Sequence, residues 1–191
     1  MNKQSNTLFL SAVLIIAAAA FTRLFPHFYN FTAIGAMAVF GGSVIKDKKL
    51  ALLLPVCAML LSDVCFELFT STKGFYGITQ FFVYGAFLII TALATLMKKR
   101  SVANIALAGI WSAAIFFVVS NFGVWVSSNF YPKTFSGLAD CFLIAIPFYK
   151  NEFFGNFVLN SIMGNLFYSA LLFGAYYLAE KKVGVTTKAI A

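Results

Sequence analysis

The chain has 191 residues, 61% of them hydrophobic, 18% aromatic and only 10% charged, with a net charge of +8. Soluble domains carry about 25% charged residues, so this chain has too little polar surface to cover a water-soluble globule. Its mean hydropathy of +0.89 and its basic residues, confined to short clusters between apolar runs, argue for an integral membrane protein and against nucleic-acid binding.

Hydropathy predicts six membrane spans in a single all-α transmembrane domain covering residues 1–191. The first span is about Thr7–Thr22. Lys3, an apolar run and Ala17–Ala20 also resemble a secretory leader, but removing them would leave five spans and a worse charge balance, so the segment is read as retained. The second, Phe31–Ile45, is short and rich in small residues, among them Gly35, Ala36, Ala38, Gly41 and Gly42. The third is Leu50–Phe69, the fourth Tyr76–Met97, the fifth Val102–Val126 and the sixth Phe154–Ala179. A longer connection, Ser127–Glu152, holds an apolar stretch, Phe142–Phe148, that is too short to span and is expected to form a lid or interfacial loop.

Ten of the fourteen Lys and Arg residues fall on one side of this arrangement. They are Lys3, the cluster Lys46, Lys48 and Lys49, the cluster Lys98, Lys99 and Arg100, and Lys181, Lys182 and Lys188. Arg23, Lys73, Lys133 and Lys150 fall on the other. By the positive-inside rule both termini are expected in the cytoplasm. The three cysteines, Cys57, Cys65 and Cys141, form no CxxC, and their odd count speaks against a disulfide framework. They read as small apolar core residues.

Polar groups inside a bilayer are costly and mark cavities or helix contacts. Asp63 lies about 20 Å along the third span at 1.5 Å per residue, leaving roughly 10 Å of the hydrocarbon core beyond it. Glu67 is one turn further out on the same face. Two carboxylates so placed are suited to pairing with a cation, sharing a proton or binding a ligand. The fourth span opens with Tyr76, Gln80 and Tyr84 at i, i+4 and i+8, the fifth ends with Asn121 and Trp125 one turn apart, and the sixth begins with Asn156 and Asn160, with Asn165 deeper. Each aromatic taken singly reads as a rim anchor, and each amide as a helix-to-helix bond. Their shared concentration in the outer halves has one common explanation, a pocket that opens outward. The first outer loop, Arg23 to Thr32, adds Arg23, His27 and Asn30. Arg23 is suited to neutralise Asp63 or to hold an acidic ligand group. His27 is the only histidine, and alone it makes no metal site. No Walker A, GxSxG or HExxH pattern is present, and no lysine lies deep in a span for a retinal Schiff base, so no enzyme and no cofactor is expected.

Several runs resemble a family of small bacterial membrane proteins of unknown function labelled as transport proteins. They are Arg23-Leu24-Phe25-Pro26-His27, Asn30 to Gly42, Leu61-Ser62-Asp63, Asn121-Phe122-Gly123-Val124-Trp125, Tyr131-Pro132-Lys133-Thr134, Gly137-Leu138 and Ile146-Pro147-Phe148. The resemblance covers nearly the whole chain and implies a bacterial inner (cytoplasmic) membrane location. The six-span architecture is also similar to the substrate-binding S-components of energy-coupling-factor vitamin transporters and to their solitary cobalamin-transporting relatives. That analogy implies uptake of a vitamin-like solute such as cobalamin, with His27 as the one histidine placed to ligate cobalt, and an energising module as partner. S-components that dock such a module carry AxxxA on the first span; here Ala17–Ala20 are contiguous.

The expectation is therefore an uptake protein binding a small organic solute through Arg23, His27, Asn30, Asp63, Glu67, Tyr76, Gln80, Tyr84, Asn121, Trp125, Asn156 and Asn160. The alternative is a structural or partner-assembly subunit of a membrane complex. Further readings are a divalent-cation transporter and an intramembrane enzyme using Asp63 and Glu67 as an acid–base pair.

Overall fold

The computed structural model describes residues 3–146 and 157–184. Seven helices lie in them: α1 (Lys3–Thr22), α2 (Ile34–Val44), α3 (Lys48–Phe69), α4 (Thr79–Ala94), α5 (Val102–Ser127), α6 (Phe135–Ile144) and α7 (Phe157–Lys182). Four of these, α1, α3, α5 and α7, are long and apolar enough to cross a membrane. The chain is an all-helical protein of membrane-embedded character. Leu14, Leu53, Leu61, Phe81 and Leu107 are exposed on its surface, as lipid contact requires.

Helix starts follow from local chemistry. Asp47 caps α3 by accepting from the Lys49 and Leu50 amides at 2.9 and 3.0 Å. Ser101 caps α5 through the Asn104 amide, and Thr134 caps α6 through the Gly137 amide. Each satisfies an N–H that the first helical turn leaves without a partner.

α2 is the centre of the bundle, with Gly35 to Gly42 buried throughout. It packs against α1, α3, α4, α5 and α7, and its small residues allow that close approach. Phe40 fills the space between α2 and α7, edge-on to Phe173 at 5.2 Å and to Tyr176 at 5.6 Å. A second apolar cluster joins α2, α4 and α5 through Val39, Val83, Phe87, Ile90 and Ala108.

The expected second span departs from Phe31–Ile45. Helix begins only at Ile34, so α2 is about 16 Å long at 1.5 Å per residue and covers half a bilayer. Phe31 and Thr32 stay non-helical with their backbone against Gly164 of α7, where an added Cβ would sit 3.1 Å from the Phe31 Cα and the Thr32 nitrogen. Asn30 just before them takes a left-handed φ of 59°, and the Asn160 amide on α7 donates to the Tyr29 carbonyl at 3.0 Å. The fourth span is likewise shorter than Tyr76–Met97. The connection after α5 holds a ten-residue helix, α6, where a loop was expected; the rest of the stretch, Pro147 and Phe148, lies outside the described residues, as do Lys150, Asn156 and Lys188.

Candidate functional site

One end of the bundle gathers the end of α1, the later turns of α3 and the start of α4 around Asp63, which is 1% exposed. Arg23, one residue beyond α1, pairs its Nη2 with Asp63 Oδ1 at 2.8 Å. Its Nη1 donates to the Met59 carbonyl at 3.3 Å and to Ser62 Oγ. The guanidinium also lies over the Phe66 ring, 5.4 Å from its centre. Asp63 Oδ2 accepts from Gln80 Nε2 at 2.9 Å and from the Tyr84 hydroxyl at 2.7 Å. Gln80 in turn holds the incoming loop, accepting from the Tyr76 amide at 3.1 Å and donating to the Gly74 carbonyl at 3.2 Å.

This network consumes the carboxylate. Two donors and one ion pair satisfy Asp63, and its charge cancels that of Arg23. A buried pair of this kind is strongly missed when one partner is lost, because the survivor is left charged in a low dielectric. Glu67 does not join it: its Oε2 accepts from the Gly74 amide at 2.9 Å, which fixes the α3–α4 loop. Gly74 is required there, since a Cβ would overlap the Asp63 carbonyl.

Beside the network lies a cavity of about 630 Å³. Its rim carries His27, Asn30 and Lys73, and its walls carry Arg23, Phe66 and Tyr76. Thr32, Ile34, Gly35, Phe87, Phe116, Ser161 and Asn165 line the deeper part. The rings of Phe87 and Phe116 are stacked at 5.6 Å, giving a flat apolar wall. His27 Nδ1 faces the Phe25 carbonyl at 2.7 Å. Among the described residues no group of three His, Cys, Asp or Glu side chains is placed to hold a metal ion.

A second cavity of about 320 Å³ adjoins the first, sharing Asn30, Phe116 and Ser161 with it. Ser120, Asn121, Tyr131 and Cys141 supply its polar lining, and Ile144 and Ala145 of the α6 region cover it. Asn121 Nδ2 bonds to the Phe117 carbonyl in its own helix at 2.7 Å. Cys141 is buried; burial pushes its thiol above the usual range, although Lys133 opposes the shift.

The expected site residues therefore divide by role. Arg23, His27, Asn30, Asp63 and Tyr76 line the larger cavity, and Asn121 lines the smaller one. Gln80 and Tyr84 stand behind the wall as partners of Asp63. Tyr76 precedes α4, so the face expected from Tyr76, Gln80 and Tyr84 is a loop contact followed by a helix. Trp125 lines neither cavity; its Nε1 donates to the Pro132 carbonyl at 2.9 Å and its ring packs against Lys133. Asn160 holds the Tyr29 carbonyl. Lys73, Thr32, Ser161 and the Phe87–Phe116 pair line the larger cavity without having been singled out by the sequence. Ser161 had one available signal, its place directly after Asn160 at the start of a span. The two phenylalanines had none, being apolar residues inside apolar runs.

Residues 3–188 match a family model described as "Family of unknown function (DUF6580)". No curated protein and no solved structure matches the chain.

Proposed function

We propose that this chain, which belongs to the DUF6580 family, is a membrane transport protein that binds a small organic solute in the cavity at the Asp63 end. The observation that carries the reading is the cavity itself. Its volume of about 630 Å³ lies within the roughly 300–1,000 Å³ typical of small-molecule sites. Its lining combines aromatic and aliphatic walls, such as Phe66, Tyr76, Phe87 and Phe116, with polar groups that can orient a ligand, such as Arg23, Asn30, Lys73 and Asn165. On this reading the Asp63 end faces outward, both termini are cytoplasmic, and the solute is vitamin-like in size. Arg23, His27, Asn30 and Tyr76 contact it directly, while Gln80, Tyr84 and Glu67 keep the wall in place.

The fixed wall and the half-length α2 support the same reading. Non-helical backbone at membrane depth is tolerated where it is buried in protein or lines a cavity. Residues Phe31 and Thr32 do both, packing on Gly164 while Thr32 lines the cavity. Discontinuous helices of this kind form the substrate sites of many transporters.

A thermal-shift screen of detergent-purified protein tests the proposal, using vitamins including cobalamin, nucleobases, small organic acids and divalent cations. A ligand that binds only the folded state raises the melting temperature by mass action. The expected result is a concentration-dependent shift with a member of the organic set. A well-folded protein that shifts with none of them, and that co-purifies stoichiometrically with another membrane protein, would transfer the reading to partner assembly.

A further inference from the structure

The larger cavity has a charge that follows from its lining. Arg23 and Asp63 cancel each other at 2.8 Å. Lys73 remains on the rim, and among the described residues no second carboxylate lines the space; Glu67 is bonded to the Gly74 amide. The deeper part adds to the same sign. Ile34 and Gly35, the first residues of α2, line the cavity, and α2 has no side-chain cap at Ala33. The first amide of the helix to find a carbonyl is that of Met37, bonded to Ala33. Among the described residues the amides of Ile34, Gly35 and Ala36 have no acceptor. A helix N-terminus carries about half a positive charge, and its free amides are ready anion ligands.

An independent group points to a ligand in the same place. Asn165 is 4% exposed and lines the deep part of the cavity. Its Nδ2 donates to the Gly109 carbonyl at 3.1 Å and to Ser112 Oγ at 2.9 Å. The Gly109 carbonyl can only accept, which fixes the amide's orientation. Asn165 Oδ1 is then an acceptor without a donor among the described residues, and it sits against Gly35, where an added Cβ would strike it. Asn165 lines the cavity, so this oxygen is available to a donor on a bound molecule.

We propose that the cavity takes an organic acid: its anionic group against the first turn of α2, its own N–H or O–H on Asn165 Oδ1, and its flat body along the Phe87–Phe116 wall. This assignment deepens the solute-binding reading and rests on it. It separates the site from one built for cations, which Asp63 suggests when taken alone, because Arg23 has already satisfied that carboxylate.

The test needs no identified solute. In a background with Cys57, Cys65 and Cys141 replaced by alanine, Ser161→Cys places one thiol in the cavity. Its thiolate attacks a methanethiosulfonate reagent, forming a disulfide and releasing methanesulfinate. The rate with the anionic sulfonatoethyl reagent is compared with that of the cationic trimethylammonioethyl reagent, each normalised to a small free thiol. The expected preference for the anion is on the order of tenfold, the low end of charge-focusing effects in clefts. Lys73→Gln should reduce it. Thr32→Cys provides the same readout from a second lining position should Ser161→Cys misfold. Modification without anion preference, or with preference for the cation, overturns the organic-acid assignment and leaves the cavity reading standing. No modification by either reagent, with a control thiol at Ser71→Cys on the exposed α3–α4 loop reacting normally, overturns both.

Discussion

Among the described residues each end of the bundle holds one ion pair, and the two are used differently. At the Asp63 end, Arg23 and Asp63 are 12% and 2% exposed at their side chains, and the pair forms the wall of a cavity. At the opposite end, Arg100 meets Glu180 at 3.2 Å and covers the Tyr176 ring, with side chains 26% and 8% exposed. There the pair ties the α4–α5 connection to the end of α7, beside α2 and α4 packed so closely that a Cβ on Gly42 would overlap the Thr91 carbonyl. The groove near that end, lined by Leu93, Leu96, Met97, Trp111 and Ile115, has no charged group. The same chemistry lines a polar cavity at one end and stands apart from an apolar groove at the other. What differs is the backbone: α2 begins three residues later than its apolar run, and Thr32 in that non-helical stretch lines the cavity.

That contrast can be broken at several points. The largest effect is expected from Asp63→Ala, which leaves buried Arg23 without its partner; a loss of about 3–5 kcal/mol should appear as a collapse of the detergent melting temperature. Glu180→Ala should cost much less, about 1 kcal/mol, because Arg100 is partly solvated. If the two variants melt alike, the ends are not energetically distinct. Gly74→Ala comes next, at about 1–3 kcal/mol for overpacking against backbone, and Gly42→Ala should show a similar loss at the other end. Asn160→Ala removes the bond to the Tyr29 carbonyl and should cost about 1 kcal/mol, while speeding proteolysis within residues 23–33. The smallest change is expected from Asn121→Ala, within about 0.5 kcal/mol, since among the described residues its amide bonds to its own helix.

The Asp63 cluster was legible in the sequence because an acidic residue deep in an apolar run must find a partner, and Arg23 was the basic residue placed to reach it. The all-helical character followed from composition. The length of α2 was not legible: Phe31, Thr32 and Ala33 are as compatible with a span as the residues after them, and the contacts of this stretch and nearby Tyr29 with Asn160, Gly164, Phe167 and Tyr168 come from more than a hundred residues away. α6 had a readable start in Thr134 and Gly137, but a helix of ten residues is too short to stand out as a membrane-length run. Trp125 at the end of a span looked like a wall residue, yet the neighbouring Pro132 carbonyl takes its N–H. Local chemistry was readable; contacts distant in sequence were not.

The most direct measurement of the central claim is the ligand-induced melting shift of the best organic hit, compared between Ser161→Leu and Glu180→Gln. Ser161→Leu puts an aliphatic side chain at the junction of the two cavities, and Glu180→Gln alters only the opposite end. The account predicts that the shift vanishes in Ser161→Leu and persists in Glu180→Gln. A shift that survives Ser161→Leu, or that disappears only with Glu180→Gln, would contradict a solute site at the Asp63 end.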